Sequence, residues 1–203
     1  MKSLLFSVLS YLVFIPFFTQ AQEAKAFKEG IYFTYQELLE NTPFYTDSIS
    51  VVERSSGDLI WAGGSKYSFE LPGANKQQLR DFKKKFFFVF HQDTLYVADK
   101  LTTNGRGMTP CFLSGPYLIA DANATVGTYG GGLVGAMIKL GEGYLIDLKK
   151  GESVPLTRKV LKTLMAQYPE IERKYAGEKH DFDDVLRIVE RINELEREKA
   201  ARL

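Results

Sequence analysis

The feature that most constrains the fold is a run of aromatic residues near the middle of the chain. Phe86-Phe-Phe-Val-Phe90 is followed by the polar triplet His91-Gln-Asp93 and then by Thr94-Leu-Tyr-Val-Ala98. Aromatic and β-branched residues on both sides of a short polar connection indicate a β-hairpin. A continuous aromatic run predicts a strand with both faces at least partly covered. We therefore expect an antiparallel sheet at the centre of the fold.

Further strands are predicted on both sides of this hairpin. Ser48–Phe69 is rich in β-branched and aromatic residues, and Leu59-Ile-Trp61 is predicted to form a strand within it. Two later strands are predicted at Phe112–Ala120 and Tyr144–Leu148.

Two short helices are predicted in the N-terminal half. Thr34 and Glu37 have the spacing of a capping box, and Pro43 is expected to end the helix that they begin. Ala74–Lys85 is polar with two apolar residues spaced by three, which is typical of a short surface helix or an elaborated loop.

The C-terminal region carries two amphipathic patterns. The first begins at Thr157 and ends before Pro169, and the second begins around Asp181. Their apolar positions fall on one helical face each: Val160, Leu161, Leu164 and Met165 in the first, and Val185, Ile188, Val189, Ile192 and Leu195 in the second. Strands followed by helices predict an α+β fold. We expect a mostly antiparallel sheet in the N-terminal and central region, with the two C-terminal amphipathic helices packed on it.

The N-terminus has the pattern of a cleavable signal peptide. Lys2 precedes an uncharged apolar run from Leu4 to Phe18, about 15 residues, which is shorter than a membrane-spanning helix. Thr19-Gln-Ala21 supplies small side chains for cleavage before Gln22. Residues 1–21 are thus predicted to be the leader and residues 22–203 a single exported domain, periplasmic or secreted, without a transmembrane helix. It is predicted not to be a lipoprotein, because acylation needs a Cys at the cleavage site and the only cysteine is Cys111.

Composition limits the possible partners. The formal net charge is +1, and it becomes 0 when Lys2, the only charge in the leader, is removed. A near-neutral protein argues against nucleic-acid binding and gives no support for docking on anionic lipid. Cys111 is the only cysteine, so an internal disulfide is excluded, and beside Phe112 and Leu113 it is expected to be a buried small hydrophobe.

A glycine-rich segment, residues 127–135, allows two interpretations. Gly130-Gly-Gly-Leu-Val-Gly135 matches the dinucleotide fingerprint G-x-G-x-x-G, but a poor strand precedes it and an exported protein would meet little cofactor, so we expect no cofactor. Gly127, Gly131 and Gly135 are spaced by four, which on a helix forms a ridge for close packing or self-association.

Polar residues give little indication of chemistry. His180 and the aspartates that follow it lack the order of a calcium loop or the pairing of a zinc site, and helix capping explains them without a metal. His91 is expected to be a polar turn residue. We therefore identify neither catalytic nor metal-binding residues, although paired carboxylates that meet only in the fold stay open.

The chain resembles a group of known sequences. Gly30-Ile-Tyr-Phe-Thr-Tyr-Gln-Glu-Leu-Leu-Glu-Asn-Thr-Pro43 is similar to the start of small exported proteins of unknown function from Bacteroidota. The hairpin, the glycine-rich stretch, Tyr144–Leu148 and an Asn like Asn193 in the last helix agree in kind. The resemblance implies an envelope location in a diderm bacterium and transfers no catalytic residues.

These patterns favour a non-enzymatic exported protein that binds a protein or glycan partner in the cell envelope. Trp61, Tyr117 and Tyr129 are the first candidates for ligand contact, as exposed aromatics, although a lone Trp is more often part of a core. One alternative is a carboxylate-dependent hydrolase acting on envelope polymers. Another is a membrane-associated or self-assembling factor that uses residues 127–135.

Overall fold

The structure is a computed structural model, and it describes residues 27–102, 106–112, 115–121, 143–177 and 182–202. The predicted leader and the glycine-rich segment lie outside these ranges, as do Tyr129, His180 and Asp181.

The described strands form two antiparallel sheets. The larger sheet has six strands in the order β1-β4-β5-β6-β3-β2, and the smaller one has three in the order β7-β8-β9. The strands of the larger sheet are β1 Gly30–Tyr32, β2 Ser50–Glu53, β3 Tyr67–Glu70, β4 Phe88–His91, β5 Thr94–Ala98 and β6 Met108–Pro110. Those of the smaller sheet are β7 Tyr117–Asp121, β8 Gly143–Asp147 and β9 Glu152–Pro155.

Helices lie between the strands and at the C-terminus. Their bounds are α1 Tyr35–Glu40, α2 Ser56–Ala62, α3 Lys76–Lys85, α4 Arg158–Met165, α5 Pro169–Tyr175 and α6 Phe182–Ala200. A 3₁₀ turn follows β5 at Asp99–Leu101. Within the described part of the chain, none of the helices is both long and apolar enough to cross a bilayer.

The aromatic hairpin is present as the sequence predicts. Strands β4 and β5 pair antiparallel, with Phe88 opposite Val97 and His91 opposite Thr94. The turn consists of Gln92 and Asp93, whose φ angles of 47° and 58° are both positive. Positive φ at both central residues matches the twist of the two strands, which is why a two-residue connection is sufficient here.

Both faces of the smaller sheet are covered. Ile119 and Leu145 face a core formed with α4, α5 and α6, whereas Leu118 and Ile146 belong to a core shared with the aromatic hairpin of the larger sheet. Alternate residues of one strand therefore point into two different cores, as the pleat of a strand requires. A bridge between Cys111, which follows β6, and Ala120 of β7 joins the two sheets.

A third core lies on the other side of the larger sheet. Phe69, Val89 and Met108 are fully buried there, and Leu79 and Phe82 of α3 pack against them. The predicted fold class is therefore confirmed: the protein is α+β, mostly antiparallel, with C-terminal helices packed on the sheet.

The two predicted C-terminal helices are α4 and α6. Thr157 caps α4 by accepting a hydrogen bond of 3.2 Å from the Val160 N–H, and both helices bury the apolar face that the pattern indicates. An additional helix, α5, lies between them and begins at Pro169, the residue expected only to follow the end of the first helix. Proline is well accommodated at the first position of a helix because its missing N–H would have had no partner there.

The capping of α1 is confirmed in part. The Thr34 hydroxyl accepts a hydrogen bond of 3.1 Å from the Glu37 N–H, but the Glu37 carboxylate accepts from the Phe33 N–H. Helix α1 ends at Glu40 because Asn41 adopts a left-handed conformation, before Pro43 is reached.

The strand predicted at Leu59-Ile-Trp61 is wrong, because these residues form the helix α2. The Ser55 hydroxyl accepts a hydrogen bond of 3.2 Å from the Asp58 N–H, which satisfies one of the free donors at the helix start. The local cap therefore overrides the β-favouring composition of the segment.

Candidate anion-binding cleft

A cleft of about 510 Å³ lies between α3 and the larger sheet. Helix α3 begins with a complete capping box, in which Asn75 and Gln78 exchange side-chain and backbone hydrogen bonds of 2.9 Å. Leu79 and Phe82 anchor the helix to the sheet. The lining residues are Ser68, Lys76, Leu79, Arg80, Lys83, Lys84, Phe86, Ala98, Lys100, Arg106 and Gly107.

Positive charge dominates the lining of this cleft. Six of the eleven lining residues are lysine or arginine, and none of the eleven is acidic. The six cations are Lys76, Arg80, Lys83, Lys84, Lys100 and Arg106. Four of them come from α3, where spacings of four and three residues place them along one helical face. Among the described residues, none of these six cations takes part in a salt bridge.

Two of these lysines are partly buried. The Lys100 ammonium donates a hydrogen bond of 2.8 Å to the Lys84 carbonyl and lies 4.7 Å from the centre of the Phe87 ring. The Lys83 ammonium lies 5.7 Å from the centre of the Phe69 ring. Burial lowers the pKa of both lysines, and for Lys83 the nearby Glu70 charge partly opposes this effect. Both ammonium groups are therefore held where water stabilises them less than usual.

Arg106 forms one wall of the cleft, and its backbone is fixed by Arg54. The Arg54 Nη1 donates hydrogen bonds to the carbonyls of Arg106 at 2.6 Å, Gly63 at 2.8 Å and Ser65 at 3.0 Å. Its Nη2 donates to the Asp58 carbonyl at 3.2 Å. A single guanidinium thus joins α2, the segment after it and the Arg106 wall.

A buried carboxylate supports the same wall from beneath. Asp99 is fully buried and accepts hydrogen bonds from the Ser65 N–H at 2.5 Å, from the Thr109 hydroxyl at 3.1 Å and from the Ser65 hydroxyl. Burial raises its pKa, and these hydrogen bonds oppose the rise. The Asp99 N–H also donates to the Gly107 carbonyl at 3.1 Å. Asp99 therefore positions the turn that carries Arg106.

The chemistry of the lining favours binding. Its apolar floor is formed by Leu79, Phe86 and Ala98, and its only hydroxyl side chain is that of Ser68. Imidazole, carboxylate and thiol groups are not among the eleven residues that line the cleft. Cations above an apolar floor suit a ligand that has both an anionic group and an apolar part.

The candidate contact residues that the sequence indicated differ in their exposure. Trp61 is on the surface of α2 and is 90% exposed, although a lone Trp is more often part of a core. The expectation that Tyr117 is exposed is wrong: it is 4% exposed, and its hydroxyl lies 3.3 Å from that of Tyr168 inside the helical core. Tyr117 faces this core because it alternates with Leu118 in β7. Tyr129, Gly127, Gly131 and Gly135 lie outside the described residues.

The sequence leaves open whether two carboxylates meet in the fold and act as a pair. Among the described residues, the fully or nearly fully buried carboxylates are Asp99 and Asp147. Asp147 accepts hydrogen bonds of 3.0 Å from the backbone N–H groups of Lys149 and Lys150, so it closes the turn between β8 and β9. Each of the two carboxylates thus has a structural role in its own turn.

Cys111 packs against the core shared by the two sheets and is partly buried. Burial raises the pKa of its thiol, which disfavours the reactive thiolate. The described position therefore agrees with a packing role.

Comparison with known proteins places the cleft within a family domain. The model of the Family of unknown function (DUF6563) matches residues 30–196. The chain belongs to this family. The match includes α2, α3 and every residue that lines the cleft, so the cleft is part of the DUF6563 domain. Neither a curated protein nor a solved structure matches the chain.

The cleft was not predicted from the sequence of this DUF6563 member. A signal is present, because Lys76, Arg80, Lys83 and Lys84 share one face of the segment that the sequence predicts only as a short surface helix or an elaborated loop. Lys100 and Arg106 add to that face only through the fold, since they come from the 3₁₀ turn and from the segment before β6.

Proposed function

We propose that this protein is a non-enzymatic exported envelope protein whose cleft binds an amphipathic anion. The observation that carries this proposal is the set of six cations around an apolar floor. The family itself has no assigned function, so the support comes from the chemistry of the cleft.

The cations support an anionic ligand because their charges are not neutralised by the lining. Lys83 and Lys100 are partly buried, and burial lowers the pKa of each. An anion that entered the cleft would favour their charged forms and would gain charge-assisted hydrogen bonds. Arg80 and Arg106 add planar guanidinium groups, which suit phosphate or carboxylate oxygens.

The apolar floor supports a ligand that is more than a small inorganic anion. The cleft volume of about 510 Å³ lies within the usual range for small-molecule sites, roughly 300–1,000 Å³. Leu79, Phe86 and Ala98 would contact an apolar chain while the cations contact its head group. A phosphorylated or carboxylated amphiphile fits this arrangement better than a neutral glycan.

The N-terminal pattern supports export. Lys2, the apolar run from Leu4 to Phe18 and the small residues before Gln22 have the order of a cleavable leader. The resemblance to exported proteins of Bacteroidota points to the envelope of a diderm bacterium. Amphipathic anions are abundant there, as lipids and lipid-linked glycans.

Dodecyl phosphate below its micellar concentration is a suitable probe for the cleft. We expect the protein to bind it in isothermal titration calorimetry, and the K76Q/R80Q variant to bind at least about tenfold more weakly, because two charge-assisted contacts are lost. Both residues are exposed on α3, so their replacement leaves the packing of the helix intact.

A matched control is R158Q/K159Q, which removes the same two charges from exposed positions of α4. The control is expected to bind like the unmodified protein. Equal weakening in both variants would show that net charge, and not the cleft, is responsible, and the proposal would then be abandoned. Failure of the unmodified protein to bind dodecyl phosphate would have the same consequence.

A further inference from the structure

Helix α2 presents two large apolar side chains to solvent. Ile60 is 79% exposed and Trp61 is 90% exposed, the highest values among the large hydrophobic residues that the structure describes. An apolar pair that stays exposed gains none of the free energy that burial of its surface would contribute. Such a pair is therefore expected to have a partner surface.

The apolar pair is held in place by specific contacts. Ser55 caps the start of α2, and the Gly63 N–H donates to the Leu59 carbonyl at its end, at 3.0 Å. Arg54 donates to the carbonyls of Asp58 and Gly63, on either side of the pair. Ile60 and Trp61 thus project from a fixed helix.

The same arginine places this helix beside the cationic cleft. Arg54 Nη1 contacts both the Gly63 carbonyl and the Arg106 carbonyl, at 2.8 and 2.6 Å, and Arg106 lines the cleft. The Ser65 N–H also donates to the Arg106 carbonyl at 3.1 Å. The exposed apolar pair and the wall of the cleft are therefore parts of one fixed unit.

The acidic residues of this unit are engaged within it. The Glu53 carboxylate forms a salt bridge of 2.8 Å with Lys66, and the Asp58 carboxylate accepts a hydrogen bond of 3.0 Å from the Ser55 hydroxyl. Within the described part of the chain, the cations of the cleft form no salt bridge with either carboxylate, so the surface next to α2 keeps its positive charge.

We propose that Ile60 and Trp61 insert into the interface of a bilayer that contains anionic lipid, while the adjoining cleft takes an anionic lipid head group. Tryptophan is suited to this position because its ring is apolar and its N–H is polar. Basic residues next to it are attracted to anionic head groups. The inference rests on the proposed function and names the membrane lipid as the source of the anion.

Trp61 provides a direct test, since it is the only tryptophan of the chain. The protein is titrated with vesicles of phosphatidylcholine and phosphatidylglycerol in a three-to-one ratio, and with vesicles of phosphatidylcholine alone. We expect a blue shift of Trp61 emission with the anionic vesicles, and this shift should decrease at high salt. With the neutral vesicles, at least about tenfold more lipid should be needed for the same shift.

Variants separate the two parts of the surface. I60S keeps the fluorescent reporter and is expected to weaken vesicle binding while leaving dodecyl phosphate binding unchanged. K76Q/R80Q is expected to weaken both. L39S removes another exposed apolar side chain, on α1, and serves as the control that binds vesicles normally.

The outcomes distinguish this inference from the proposed function. If dodecyl phosphate binds but anionic vesicles cause no blue shift, the membrane inference is wrong and the cleft function stands. An equal shift with neutral vesicles, or equal loss in I60S and L39S, also overturns the inference. If neither dodecyl phosphate nor anionic vesicles bind, the proposed function itself fails.

Discussion

The side-chain amide of Asn193 pairs with both polar backbone groups of Tyr117. Its Oδ1 accepts a hydrogen bond of 3.0 Å from the Tyr117 N–H, and its Nδ2 donates one of 2.8 Å to the Tyr117 carbonyl. Tyr117 begins β7, an outer strand of the smaller sheet. The amide therefore takes the place of a neighbouring strand and joins α6 to the sheet.

Gly115 makes this approach possible. Its φ angle is 151°, and a Cβ atom at this position would lie 2.6 Å from the Asn193 Cγ. Only a residue without a side chain leaves room for the amide at that distance. Gly115 and Asn193, far apart along the chain, thus form one structural unit.

Replacement of Asn193 should strongly destabilise the fold. In N193A the N–H and carbonyl of Tyr117 stay buried without their partner, so we expect the free energy of unfolding to fall by about 2–4 kcal/mol. Urea denaturation followed by circular dichroism measures this change. E190A, at an exposed position of the same helix, is the control and should change stability by less than about 0.5 kcal/mol. Similar losses in both variants would contradict the role of the amide pair.

Gly115 and Asn193 should be energetically coupled. G115A is expected to destabilise the protein because the added methyl group meets the Asn193 amide, and to cost less in the N193A background, where that contact is absent. A double-mutant cycle of unfolding free energies measures the coupling, which we expect to be about 1–3 kcal/mol. Additive losses would show that backbone strain at Gly115, rather than contact with Asn193, accounts for its effect.

Gly64 and Gly73 offer a matched pair for testing the wall of the cleft. Their φ angles are 85° and 86°, but a Cβ atom at Gly64 would lie 1.8 Å from the Arg106 carbonyl oxygen, whereas one at Gly73 meets nothing within 4 Å. G73A should cost only the strain of its conformation, about 1 kcal/mol, and G64A clearly more. We also expect G64A, but not G73A, to weaken dodecyl phosphate binding, because Arg106 must shift. Urea denaturation and calorimetry provide the two readouts.

The sequence predicts those elements whose signal is local. The aromatic hairpin and the amphipathic helices α4 and α6 were found because strand composition and helical periodicity act over a few neighbouring residues. Leu59-Ile-Trp61 was assigned to a strand because its composition favours β structure. Helix α2 has a local signal in its Ser55 cap, but the Arg54 side chain that also fixes it reaches carbonyls as distant as that of Arg106, and such a contact leaves no periodic pattern.

The cleft could be predicted only in part for a related reason. The cations of α3 are visible as a stripe, but Lys100 and Arg106 join them through the pairing of β5 with β6. The formal net charge of the chain, only +1, also conceals the cleft, because acidic residues elsewhere balance it. Expectations about partners that were drawn from net charge therefore did not capture the local charge at this site.

The last prediction concerns the stability of the fold in acid and centres on Glu196 of α6. Burial alone would raise the pKa of its carboxyl, but hydrogen bonds from Lys149, Lys199 and Tyr168 lower it to about 2. The folded pKa is thus below the ordinary value of 4.5, and between these values the unfolded chain binds more protons. The stabilisation by Glu196 is therefore complete above about pH 4.5 and is lost as the pH falls towards about 2.

Replacing the carboxylate by an amide should remove this pH dependence. E196Q is expected to be less stable than the unmodified protein at about pH 7 and to approach it at about pH 3, since the difference arises from the charged form. Urea denaturation at the two pH values measures the effect, with E172Q at an exposed position of α5 as the control. A constant difference between E196Q and the unmodified protein at both pH values would mean that Glu196 acts by packing and not through its charge.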